Sequence, residues 1–226
     1  MRRSWLIWLL VTLFWSLYAP AGYVASRSVT VEMKLEPGTS INVEVFRLAD
    51  DQLKMVLGFR GDHVRRRAEL GAWTLNSSEM NSGFLKFATP GAAIRLAASV
   101  PNANPVIYEA MPTSSYMSDR TSRQLTSDLS VEPGVWRWPP QYNDLVLHRG
   151  TNNLKIDVIS VGPPLVGETV QLVVLSALGF KTTDTKNTAG WFFLWFIWPI
   201  IVPFQVIWAI ILAVKQRRLS RTRTIQ

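Results

Sequence analysis

Residues 29–45 read VTVEMKLEPGTSINVEV. Val29, Val31, Met33 and Leu35 alternate with polar residues, and Ile41, Val43 and Val45 do the same. A period of two places each set on one face of a strand. Between them, Pro37 presets one φ and Gly38 accepts another, so Glu36-Pro37-Gly38-Thr39-Ser40 reads as a turn. The same texture continues at 53–59, 69–75, 84–89, 93–99, 105–109, 145–148, 153–160 and 168–175. Turn signals separate these runs: Thr89-Pro90-Gly91, Pro101-Asn102, Glu132-Pro133-Gly134, Arg149-Gly150 and Gly162-Pro163-Pro164. Short strands at this spacing predict an all-β domain, an antiparallel β-sandwich of immunoglobulin-like or jelly-roll type. Ser114–Ser130 breaks the pattern, with eight Ser or Thr and few apolar residues, and reads as a long exposed loop.

Outside this β region the chain turns apolar at both ends. Residues 4–26 and 187–214 carry no charge. The C-terminal run Trp191–Val214 is 24 residues long, which as a helix covers roughly 36 Å and crosses a bilayer with some tilt. The N-terminal run has two possible fates. Arg2 and Arg3, an apolar stretch from Trp5 to Tyr18 and Ala19-Pro20-Ala21 match a signal peptide cleaved after Ala21. Equally, the uncharged residues Trp5–Val24 are enough for a retained membrane anchor. The organisation expected is a leader or anchor over 1–26, an extracytoplasmic β domain over 27–186, a transmembrane helix over 187–214 and a basic tail over 215–226.

The chain has 226 residues and a formal net charge of +8, a balance that on its own suggests nucleic acid or anionic membrane as partner. Its distribution says otherwise. Of 24 Lys and Arg, two precede the first apolar run and five follow the second, while all 16 acidic residues lie between. The middle is therefore nearly neutral, and the excess is an orientation signal with both flanks in the cytoplasm. Nucleic acid is not an expected partner. With no cysteine, disulfides, thiol nucleophiles and cysteine-bound metals are excluded. Zero cysteines in an exported domain fits a bacterial inner membrane with a periplasmic β domain.

No catalytic constellation is legible. His63 and His148 lack metal-ligand neighbours, and there is no G-x-S-x-G, S-x-x-K or phosphate-binding glycine motif; no metal or cofactor is expected. Arg65 and Arg67 would share a strand face and could grip an acidic glycan or lipid headgroup, although charge guarding a solvated edge strand explains them more simply. Trp136, Trp138 and Tyr142, stiffened by Pro139 and Pro140, could stack on a sugar; a core tryptophan beside an edge ring is the plainer reading.

Seven of the ten tryptophans lie in the apolar runs. Trp5, Trp8, Thr12 and Trp15 share one helical face, as do Trp191, Trp195, Trp198, Val202, Gln205 and Trp208. Each stripe holds one polar residue, Thr12 or Gln205, which prefers a protein partner inside a bilayer. Trp8, Thr12, Trp15, Trp195, Trp198, Gln205 and Trp208 are thus candidate contacts, with each other or with another integral membrane protein. Lipid-facing aromatics in a plain anchor explain them equally well. These features suggest a non-enzymatic, membrane-anchored accessory or scaffold subunit of a cell-envelope assembly handling polysaccharide, secretion or transport. The alternatives are a carbohydrate-binding ectodomain, or an envelope hydrolase or transferase, which would need His148 beside a carboxylate in a cleft.

Overall fold

The computed structural model describes residues 2–25, 27–60, 67–75, 83–113, 115–117, 120–177 and 186–223. The chain divides into two compact units. Ser28–Ser176 forms the β unit, and the second unit combines Met1–Arg27 with Ala177–Gln226.

The second unit holds two helices, α1 (Arg2–Ala25) and α2 (Lys186–Arg223). Within them, Arg3–Ala25 and Phe196–Arg218 are long and apolar enough to cross a membrane. The α2 helix runs further than its apolar stretch on both sides. It begins at Lys186, before the apolar run, and continues through the basic residues to Arg223.

The β unit opens with β1 (Val29–Lys34), β2 (Ser40–Arg47), β3 (Asp51–Gln52) and β4 (Met55–Arg60). A 3₁₀ turn at Ala68–Leu70 leads into β5 (Ala72–Leu75), β6 (Phe84–Thr89), β7 (Ile94–Ser99) and β8 (Val106–Ala110). Then come β9 (Ser115–Met117), β10 (Arg120–Thr126), β11 (Val135–Arg137) and β12 (Val146–Leu147). The unit ends with β13 (Gly150–Val161), a second 3₁₀ turn at Pro163–Leu165, and β14 (Thr169–Val174). The expected strand at 69–75 is thus shortened, since Gly71 turns the chain (φ 72°) between the 3₁₀ turn and β5.

Among the described residues, nine strands form the main sheet, in the order β1-β14-β4-β10-β8-β7-β13-β2, with β9 joined to β10. Each neighbouring pair in this order is antiparallel. β1 and β2 stand at opposite ends of this path yet follow one another in sequence, so the turn at Glu36–Thr39 bridges the seam. Gly38 N donates to Val158 O and Val158 N to Thr39 O, at 2.9 Å each, binding that turn to β13. The β unit is therefore mostly antiparallel, with a nearly closed, barrel-like main sheet where strand spacing predicts a sandwich.

Alternation explains the core. Met55, Leu57 and Phe59 of β4, Ile94, Leu96 and Ala98 of β7, and Leu154, Ile156 and Val158 of β13 all point inward and are buried. Each large apolar side chain so buried is worth about 1.5–3 kcal/mol. In β13 the register against β7 shifts between Val158 and Ser160, a bulge of the kind that bends a strand and helps a sheet curl.

Ser114–Ser130 is not a loop throughout. Within it, β10 lies inside the main sheet between β4 and β8. Arg123 and Leu125 point inward at 1% and 4% exposure, and Thr126, Ser127 and Asp128 are buried as well. An inward arginine conceals the alternation from any reading based on hydrophobicity.

Two smaller sheets complete the unit, β11-β6-β5 and β12-β3. The first has its own core of Leu85, Phe87 and Trp136, with Met111 packed against it.

Candidate functional site

The two apolar helices meet through polar atoms. Trp5 Nε1 donates to Gln216 Oε1 at 3.1 Å, and Trp8 Nε1 donates to the Gln205 carbonyl at 3.0 Å. The Thr12 hydroxyl lies 2.8 Å from the Trp8 carbonyl oxygen and 3.1 Å from Gln205 Oε1, so one proton faces two acceptors. Residue numbers rise along α1 as their partners' numbers fall along α2; the helices are antiparallel. Trp15 is half-buried and meets Phe14 and Tyr18 edge-on, with centroids 5.4 and 5.5 Å apart. Trp198 and Trp208 are half-buried on α2, while the side chain of Trp195 lies outside the described residues. Thr12, Trp8 and Gln205 are thus brought together. The contacts of Trp5 and Gln216 extend the row in a way that the spacing of polar residues did not suggest, because Gln216 lies among the basic residues beyond the apolar run.

In the β unit, the tryptophans of the Trp-Arg-Trp segment part company. Trp136 lies on β11 opposite Leu85 of β6 and is 3% exposed. Its ring stands 5.3 Å from that of Phe87, which lies 4.8 Å from that of Trp73. Trp136 Nε1 is buried and has no hydrogen-bond partner among the described residues. The strand stops at Arg137; Trp138 N donates to Gly83 O at 2.9 Å, and a cis bond to Pro139 follows. Trp138 is 49% exposed, so one tryptophan faces the core and the other solvent. Tyr142 and Trp73 are exposed too.

Arg65 lies outside the described residues. Arg67 is committed to the fold. Its Nη1 and Nη2 donate to the two Glu168 carboxylate oxygens at 2.6 and 2.7 Å, and its Nε to Glu69 at 2.7 Å. The Glu168 contact foremost pushes the Arg67 guanidinium up, and the Arg67 hydrogen bond holds Glu69 below its ordinary range. A guanidinium so occupied is a clasp between chain segments and has little left for a headgroup.

Two more arginines are buried as structural groups. Arg123 donates to the carbonyls of Ala92 (2.6 Å), Ala110 (2.8 Å) and Met111 (2.8 Å). Burial draws it down to about 10, against the opposing pull of Glu109. Glu109 itself accepts from Ser130 Oγ at 2.7 Å and from Arg95 Nη2 at 3.2 Å. Arg47 donates to Leu175 O at 2.7 Å, and its Nε lies 3.5 Å from Asp51.

His148 does stand beside a carboxylate, with Nδ1 3.3 Å from Asp50 Oδ2. Both side chains are mostly exposed, at 74% and 62%. Asp50 is fixed by the Arg149 backbone N–H at 2.8 Å, which with His148 holds its carboxyl below the ordinary range. The turn behind the pair is held by Asn152, whose Nδ2 donates to the carbonyls of His148 and Gly150. Among the described residues no group of three His, Cys, Asp or Glu is placed to hold a metal ion.

No protein-family model matches the chain, and no curated protein matches it. Among solved structures the chain is similar to a crystallised protein from Sulfurospirillum deleyianum, with 12% sequence identity and a TM-score of 0.39. That match covers 66% of this chain and 98% of the other. At this level the likeness carries no argument about fold or function.

Proposed function

We propose that this protein is a non-enzymatic accessory or scaffold subunit of a bacterial cell-envelope assembly, anchored in the inner membrane with its β unit on the periplasmic side. One observation carries the reading: the two apolar helices join through Trp8, Thr12 and Gln205. An anchor in which both Gln205 oxygens are already paired between its helices leaves its apolar outer faces for lipid or for another membrane protein. Basic residues flanking both apolar runs support a cytoplasmic location for both ends. In the β unit, Arg47, Arg67 and Arg123 serve the fold itself, in keeping with a structural role. The test is affinity purification of the full chain from native membranes in mild detergent. A companion membrane protein in stoichiometric amount is expected; recovery of this chain alone would refute the proposal.

A second reading, a carbohydrate-binding ectodomain, is favoured by the exposed rings of Trp73, Trp138 and Tyr142. Flat rings open to water are what sugar stacking uses. Binding of the detergent-solubilised chain to a glycan array, lost on Trp138→Ala, would favour it over the first.

A further inference from the structure

The Ala19-Pro20-Ala21 sequence offers a cleavage site, but the surroundings are poor for cleavage. We propose that α1 is never removed: it is a permanent membrane helix whose fixed partner is α2 of the same chain. This rests on the membrane reading above and adds to it the fate of the first helix.

The first ground is the backbone. Helix α1 runs unbroken from Arg2 to Ala25, through all three residues of the site. Tyr18 just before the site and Gly22 just after it are buried. Cleavage takes place at irregular chain, and a helical turn withholds that conformation even though Pro20 itself is exposed.

The second ground is what cleavage would leave behind. Gln205 lies well inside the apolar span Phe196–Arg218. In hydrocarbon its amide needs a partner, and α1 supplies one in the Thr12 hydroxyl, while Trp8 adds an indole N–H to the Gln205 carbonyl. Loss of α1 would strip both groups at once, together with the Trp5–Gln216 contact.

The third ground is register. The antiparallel pairing sets Trp5 against Gln216, and so brings Arg2 and Arg3 to the same end of the helix pair as Lys215, Arg217 and Arg218. Charge placement, an independent feature of the sequence, demands that same end for both clusters if they share the cytoplasmic side. Pairing and charge agree.

The test uses the full chain with a C-terminal affinity tag, purified from bacterial membranes. Intact-mass spectrometry is expected to give the complete chain, and a mass short of residues 1–21 would overturn the proposal. Such a short form still recovered from membranes would leave the anchoring by α2 standing, whereas recovery from the soluble fraction would defeat the membrane reading itself. Because the chain has no cysteine, pairing can be read on a clean background. Thr12→Cys with Gln205→Cys should be bridged within one chain by a short bis-methanethiosulfonate crosslinker, seen as a mobility shift that reductant reverses. Leu13→Cys with Ile207→Cys, both exposed on their helices, should show no shift. Equal shifts in both pairs, no shift in either, or a dimer-sized product from the first pair would overturn the assignment of α1 as the partner of α2 within one chain.

Discussion

From β10, Arg123 ties together two stretches of backbone, one at Ala92 and one at Ala110–Met111. Its donors reach the carbonyls of Ala92, Ala110 and Met111, so Arg123→Met would leave buried acceptors without partners. A cost of about 3 kcal/mol or more is expected, read as a lowered denaturation midpoint. Hydropathy cannot flag this residue, since a charge inside a sheet looks in sequence like a charge outside one. Arg67 teaches the opposite lesson. Its sequence leaves a ligand grip open beside a solvated edge, but its guanidinium is engaged by its neighbour Glu69 and by Glu168, a partner that only the fold brings near. The pH consequence follows from Glu69. Its folded-state value is depressed, so the unfolded chain binds the proton more tightly. The stability it adds is present above the ordinary glutamate range, about 4.3, and is lost as pH falls through the lower folded value. Urea midpoints should therefore drop on acidification towards pH 3, and Arg67→Gln should make that drop shallower.

Elements were legible where a buried face is apolar. The run FLKFAT predicts a strand over 84–89, and β6 occupies Phe84–Thr89. The β10 strand was hidden because its inward positions include Arg123 and its remainder is rich in Ser and Thr. Two glycines test how tightly such elements approach. At Gly91, in left-handed backbone (φ 75°), a Cβ would come within 2.6 Å of Gly71 N. Gly38 has a similar φ of 89° but open space around it. Gly38→Ala should cost about 1 kcal/mol from backbone strain alone, and Gly91→Ala clearly more, by differential thermal unfolding. The Trp-Arg-Trp segment divides in the same manner. Trp136→Ala removes a ring that packs on Phe87 and should cost about 3–5 kcal/mol. Trp138→Ala removes an exposed one and should change stability by about 0.5 kcal/mol or less. Sequence suggests a core tryptophan beside an edge ring, but does not say that the strand ends between them.

At the scale of the molecule, the apolar ends and the β middle were both legible, because run length and alternation are local properties. The order of strands was not, since alternation never says which strand lies alongside. Ser28–Ser176 forms a unit with its own core, so that segment expressed alone should be soluble, with a β-type circular dichroism spectrum and one cooperative unfolding transition. A fragment that aggregates or melts without cooperativity would count against an independent unit. The pairing at its two ends has a mechanical meaning. Val29, the first residue of β1, is the register partner of Val174, the last residue of β14. Tension that entered the unit through both ends would therefore load this ladder from one rung, breaking its hydrogen bonds one after another. A zipper opened in this way yields at lower force than the same bonds sheared together. With β1 at the open edge of the sheet, pulling the two ends apart should peel that strand away first and leave the remaining strands paired.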